Sequence, residues 1–263
     1  MDDSNLFLKK IEERFDRFLS SNTIENYDFL SPEEQSKADR LMKSMRSQGA
    51  FLYGGYSEAE RKIPVFIPEY FDVTDEESAI GFFAQEPELC PLTILELEIP
   101  KHESFVPGHR DYLGALMGEG IKRQKIGDIL IRPGGAQIVV LKELAEYLKS
   151  SLITVGRASV TARLLPIDKI DPGEVHMEKI RINVPSARLD NVISAVFSLS
   201  RKTAQEAVAR GLVFVDGIQL MKPDYQLKPA QKIVLRGKGK AIYLDTSGVS
   251  RKGKLYIEVM KYV

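Results

Sequence analysis

The chain has 263 residues, 43% of them hydrophobic, enough for two or three folded domains, and its single cysteine, Cys90, excludes an intrachain disulfide and a multi-cysteine zinc site. No apolar run approaches the ~18 residues of a membrane helix, and Met1-Asp2-Asp3-Ser4-Asn5 lacks the basic and apolar regions of a signal peptide, so a cytoplasmic protein with no membrane partner is expected. The 37 basic and 37 acidic side chains cancel overall but not locally: residues 1–100 carry net −11, residues 101–178 net +1 and residues 179–263 net +10.

The first 80 residues read as an N-terminal α/β domain. Leu8, Ile11, Phe15, Phe18 and Leu19 form a helical apolar stripe. Ser31-Pro32-Glu33-Glu34 is a helix start with a cap, a proline at the first helical position and a glutamate at the third; that helix is expected to end near Gly49. Ala50–Tyr53 and Ile63–Ile67 read as strands around Gly54-Gly55-Tyr56. That glycine pair lacks the Gly-Lys-Ser/Thr of a phosphate loop and reads as a turn.

Residues 81–175 read β-α-β-β-α-β, the order of a ferredoxin-like or RRM-like sandwich. The elements are Thr93–Ile99, a helix from Gly108 to Met117, a hairpin of Ile126–Ile131 and Ala136–Leu141, a helix over Lys142–Leu152, and Ser159–Leu165. The glycine-aromatic motif by which RRM sheets stack bases is absent, so RNA binding by this sheet is not expected. Arg110, Lys122, Arg123 and Lys125, in and after a glycine-bounded segment, are a secondary candidate for phosphate contact, with a solvated loop the equal alternative. His102, His109 and His176 show no metal-ligand spacing, and no metal or cofactor is expected.

Residues 180–263 carry the strongest signal. Over Lys179–Lys240 there are 12 basic and 4 acidic side chains. Leu189, Val192, Ile193, Val196 and Phe197 mark one buried helix face, with Ser186 as a candidate cap. Ser200 caps a second helix, Ala204, Ala207 and Val208 face inward, and Gly211 stops it. Leu212–Val215, the Asp216-Gly217 turn and Ile218–Leu220 read as a hairpin. Lys240–Asp245 and Leu255–Val263, joined through Gly248 and Arg251-Lys252-Gly253-Lys254, read as a second. Arg201 and Lys202 sit in the first helical turn, where the macrodipole disfavours cations by roughly 0.3–1 kcal/mol each. A phosphate there would reverse that sign. With Arg188, Arg210, Lys222, Lys228, Arg236, Lys238 and Lys240, they point to a polyanion, RNA first.

Arg188-Leu189-Asp190, Ser200-Arg201-Lys202-x-Ala204-Gln205 and Gly211-x-Val213-x-Val215-Asp216-Gly217 resemble the S4 RNA-binding domain. One departure is Ala230-Gln231 where that family often has Gly-Asp. The resemblance implies RNA contacts for Arg188, Ser200, Arg201, Lys202, Gln205 and Lys222; Arg210, Lys228, Arg236 and Lys238 follow on charge alone. Gly54-Gly55-Tyr56 with Ala59-Glu60-Arg61-Lys62, the Gly108–Asp128 stretch and Gly156-Arg157-Ala158-Ser159 extend the resemblance to the YlmH-like family of bacterial proteins. It implies an RNA-binding protein whose partners are ribosomal RNA, tRNA and the large ribosomal subunit, in rescue or quality control of stalled translation, with no DNA partner.

An RNA-modifying enzyme is the alternative. A pseudouridine synthase needs a catalytic aspartate, usually within Gly-Arg-Leu-Asp; here Arg188-Leu189-Asp190 follows Ala187, and Asp190 reads as a helix-surface residue. A methyltransferase needs a glycine-rich cofactor loop after a strand, and a synthetase needs paired nucleotide-binding motifs; neither is found. No catalytic residue is assigned.

Overall fold

The computed structural model describes residues 6–45, 47–173, 177–251 and 253–262, with Pro32 and Glu33 by backbone alone. Met1–Asn5, His176, Lys252 and Val263, used in the sequence reading, lie outside them. The chain divides into two compact units, one ending at Gly173 and one beginning at Glu174.

The first unit begins with α1 (Leu6–Ser21), β1 (Glu25–Asn26), α2 (Pro32–Ser44), β2 (Ala50–Tyr53), β3 (Ile63–Phe66) and α3 (Glu76–Gln85). Ile11 and Phe18 of α1 are buried against α2 and β3, but Leu19 is 62% exposed, because it lies about 80° round the helix from Ile11, at the edge of the stripe. The reciprocal capping bonds expected at α2 form: the Ser31 N–H donates to Glu34 Oε2 at 2.8 Å, and the Glu34 N–H to Ser31 Oγ at 3.4 Å. This helix stops at Ser44, short of Gly49. The three strands form an antiparallel sheet ordered β1-β3-β2.

The unit continues with β4 (Leu92–Glu98), α4 (His109–Gly118), β5 (Ile126–Arg132), β6 (Gly135–Leu141), α5 (Lys142–Ser151), a two-residue hairpin of β7 (Thr154–Val155) and β8 (Ala158–Ser159), and β9 (Thr161–Leu165). The last long strand therefore starts at Thr161; Ser159 belongs to the small hairpin. The sheet order β5-β6-β4-β9, antiparallel throughout, is that of a ferredoxin-like sandwich. Alternation along β4 decides what covers it. Leu95 and Leu97 pack with Tyr112 of α4 and Leu148 of α5. Leu92 and Ile94 face the other way, into one core with Phe29, Tyr53, Val65, Phe83 and Val139. A boundary at residue 80 falls inside α3, and this core runs across it.

The second unit comprises β10 (Met177–Val184), α6 (Leu189–Val196), α7 (Arg201–Ala209), β11 (Val213–Val215), β12 (Ile218–Gln219), β13 (Lys232–Leu235), β14 (Gly239–Val249) and β15 (Leu255–Tyr262). Its six strands run β10-β15-β14-β13-β11-β12. The β10 strand is absent from the sequence reading, although Ile180, Ile182 and Val184 alternate with Arg181 and Asn183. Leu189, Val192, Ile193, Val196 and Phe197 of α6 and Ala204, Ala207 and Val208 of α7 close over one sheet face. Arg188, not Ser186, is the cap residue of α6; the Ser186 hydroxyl accepts from Asn191 Nδ2 at 3.0 Å. Gly211 stops α7 at φ +67°, and Asp216-Gly217 turns with both φ values positive.

The shared core of the first unit has a measurable consequence. Phe29→Ala should cost about 3–5 kcal/mol by leaving a cavity. Amide exchange should then quicken together in β2–β3 and in β4–β6. Loss of protection confined to β2–β3 would show that the two sheets are stabilised separately.

Candidate nucleic-acid interface

The starts of α6 and α7 meet at one carboxylate. Asp190, in the first turn of α6, is 0% exposed. Its Oδ1 accepts from Arg188 Nε at 3.0 Å and from the Asn191 N–H at 3.0 Å. Its Oδ2 accepts from Arg188 Nη2 at 3.2 Å and from Gln205 Nε2 at 2.9 Å. Arg201 Nε stands 3.5 Å away. An unpaired buried carboxylate would cost several kcal/mol, and here a bidentate guanidinium, an amide, a backbone N–H and a second guanidinium share it. Burial pushes the Asp190 carboxyl up; the hydrogen bonds from Arg188 and Gln205 and the charges of Arg188 and Arg201 outweigh that and hold it below the ordinary carboxylate range.

This overturns the reading of Asp190 as a surface residue. A signal was present: Asp190, Ile193 and Phe197 fall at i, i+3 and i+7, on one buried row. It also revises the account of α7. Its first turn carries no acid of its own, but Asp190 supplies one from the neighbouring helix, so the charge of Arg201 is offset there before any phosphate arrives.

Five of the candidate residues gather at this corner. Arg188, Arg201 and Gln205 do so through Asp190, and exposed Lys202 follows Arg201 in α7. The loop bearing Lys222 reaches the start of α6 by backbone bonds, from the Asp190 N–H to Pro223 O at 3.0 Å and from the Leu189 N–H to Tyr225 O at 2.8 Å. Ser200 serves the fold: its Oγ accepts from the Thr203 N–H at 3.0 Å and starts α7. Arg210 ends α7, roughly 13 Å along its axis. The Arg236 N–H donates to Leu212 O at 2.9 Å, and the Arg236 guanidinium lies 4.4 Å from the centre of the Phe214 ring. Lys238 occupies the turn between β13 and β14. Lys228 stands apart, its N–H donating to Gln231 Oε1 at 2.9 Å.

The secondary loop divides. Arg110 and Lys122 are exposed. Arg123 turns inward, donating from Nη1 to Ile126 O at 2.5 Å and to Gly127 O at 3.2 Å. Burial, and then the nearby Arg61 guanidinium, lower its pKa to about 10. Lys125 bridges Asp28 and Glu143, each at 2.8 Å. The loop is tied to the Gly54–Lys62 segment through Asp128, which accepts from Tyr56 Oη at 2.8 Å, the Glu60 N–H at 2.7 Å and the Arg61 N–H at 3.1 Å. Burial raises the Asp128 carboxyl, and these bonds only partly offset it.

The face of the four-stranded sheet opposite α4 and α5 is largely occupied by its own unit. Half of the face opposite α4 and α5 is buried in the core shared with β2 and β3. The other half carries Glu96 and Glu98 paired with Arg163, and Asp171 with Arg132. Cys90 is buried, which raises its thiol to about 11, too high for a ready thiolate.

Residues 90–169 match the family model described as "Putative RNA-binding domain in YlmH", and residues 187–233 match the S4 domain. The "Ribosome-associated protein quality control protein P2" of Bacillus subtilis (strain 168) is 31% identical over 231 residues, covering 86% of this chain and 83% of that one. The chain belongs to the YlmH family. A solved structure, "Cell division protein ylmH from Streptococcus pneumoniae", has 20% identity and a TM-score of 0.47 over 65% of this chain and 96% of that one. In this chain, both the S4 match and the Asp190 corner fall in the second unit.

Asp190→Asn should destabilise the second unit by about 2–3 kcal/mol at neutral pH, because the charge-assisted bonds weaken. The folded pKa lies below the ordinary 3.8. The advantage of the wild type is therefore full above the ordinary value and shrinks as pH falls below it. Urea titrations at pH 7 and pH 3 should show the gap narrowing. A gap that stays constant across that range would show that charge on Asp190 is not its source.

Proposed function

We propose that this protein is a non-enzymatic RNA-binding factor of the ribosome, acting in the quality control of stalled translation, with the Asp190 corner as its principal RNA surface. The observation that carries the reading is the convergence of Arg188, Arg201, Lys202, Gln205 and Lys222 on two helix starts. The carboxylate fixes two of these cations at one edge. Phosphates then meet ordered guanidiniums and the free N–H groups of the first turn of α7, with less side-chain entropy left to lose.

The ribosomal part of the reading comes from the name of the Bacillus subtilis relative. Large-subunit ribosomal RNA and peptidyl-tRNA are the proposed targets and the cytoplasm the proposed compartment. No described helix is long and apolar enough to cross a membrane.

The saturated hydrogen bonding of Asp190 favours binding over catalysis. A nucleophilic or general-base carboxylate needs access to substrate. Asp190 is fully buried and already holds four hydrogen bonds.

Two measurements test this. Affinity for a structured ribosomal RNA fragment should fall with salt at a log–log slope of about −3 to −5, as expected for about four to six phosphates. A flat titration would remove the phosphate-contact mechanism. Lys202→Glu with Lys222→Glu should abolish co-sedimentation with large subunits while leaving the melting transition in place. These positions avoid the carboxylate-on-carboxylate clash that Arg201→Glu would create beside Asp190. Full co-sedimentation of the double variant would refute the assignment of this corner.

A further inference from the structure

The sheet of the second unit has two faces, and α6 and α7 cover only one. Ile182, Ile257, Val259, Tyr243, Ala241, Ile233 and Leu235 point into that core. Strand pairing places the alternate residues together on the other face. Arg181 pairs with Glu258, Asn183 with Tyr256 and Lys179 with Met260. Ile242 pairs with Met260, Lys232 with Ile242, and Val234 with both Lys240 and Phe214.

This face has an unusual composition for a solvated sheet. Aromatic rings alternate with cations. The Arg181 guanidinium lies 4.1 Å from the centre of the Tyr256 ring. Lys232 and Lys240 lie 5.5 and 5.9 Å from that of Tyr262, and Arg236 lies 4.4 Å from that of Phe214. Two carboxylates also lie on this face: Glu258, paired with Lys179 at 2.8 Å, and its cross-strand neighbour Asp245. Tyr256 and Tyr262 are half-buried on one strand, six residues or about 20 Å apart.

We propose that this face is a second RNA surface, one that takes a single-stranded segment by stacking bases on Tyr256 and Tyr262 while Arg181, Lys232, Lys240 and Arg236 hold its phosphates. The inference rests on the RNA-binding reading above but uses none of the residues of the Asp190 corner. Alternation is the argument. Stacking needs a ring face that a base can reach by displacing a mobile side chain, and a polyanionic strand needs a cation within reach of each base it lays down. The cation–π pairs keep rings and cations ordered before RNA arrives. A base arriving over Tyr262 displaces a flexible lysine onto the adjacent phosphate. Sequence tolerance follows, because every base has a π-face.

The test uses the full chain and two fluorescein-labelled RNAs, an oligouridine 12-mer and a structured ribosomal hairpin, read by anisotropy. Tyr256→Ala with Tyr262→Ala should weaken the 12-mer about tenfold or more and leave the hairpin within about twofold. Tyr256→Phe with Tyr262→Phe keeps both rings and should retain the 12-mer. Lys202→Glu with Lys222→Glu should do the reverse of the alanine pair, losing the hairpin and keeping the 12-mer. The second surface is overturned if the 12-mer does not bind, if the alanine pair retains it, as a protein-docking face would, or if the alanine pair loses both RNAs with its melting transition intact. If the lysine variant keeps the hairpin, that outcome counts against the Asp190 corner alone.

Discussion

A buried carboxylate that must find partners organises the basic corner of the second unit. Asp190 enters the core on the same row as Ile193 and Phe197, where an unpaired charge would be costly. Its donors come from three places: the residue before α6, the start of α6 itself, and α7. Meeting that requirement sets the two helix starts side by side and turns Arg188 and Arg201 toward one edge. The basic corner is thus a by-product of satisfying one acid. Charge on a surface needs no fixed geometry, but charge gathered around a buried partner acquires one.

The first unit shows the opposite economy. Its four-stranded sheet has the strand order that in RRM proteins leaves one face open to bases. Here the shared core with Phe29, Tyr53 and Phe83 covers half of that face, and carboxylate–guanidinium ion pairs occupy the rest. Net charge differs along the chain, with −11 over residues 1–100, +1 over residues 101–178 and +10 over residues 179–263. The cations of the glycine-bounded loop fit this picture, since Arg123 and Lys125 bind the carbonyls and carboxylates of their own unit.

Element type was legible wherever a local rule governed it. The Ser31 and Ser200 caps, the glycine stop at Gly211, the Asp216-Gly217 turn and the β-α-β-β-α-β order each depend on neighbours within a few residues, and each stands in the structure. Leu19 and the late start of β9 departed because packing, not periodicity, decides where the edge of the core falls. Strand β10 was missed although its alternation was plain; a lone strand that pairs with the far end of the chain has no local partner to announce it.

By itself, the sequence determined which residue types were available: a +10 C-terminal segment, two capped helices, tyrosines and lysines in late strands, and the family motifs. Only the tertiary structure decided which of those charges act together. It buried Asp190 and so joined Arg188, Arg201 and Gln205. It turned Arg123 inward, and it set Arg181 over Tyr256 across 75 residues of chain. The reason is physical. Propensity and capping energies are functions of nearby residues. Desolvation, ion pairing and strand register depend on distances that exist only after the chain has closed on itself.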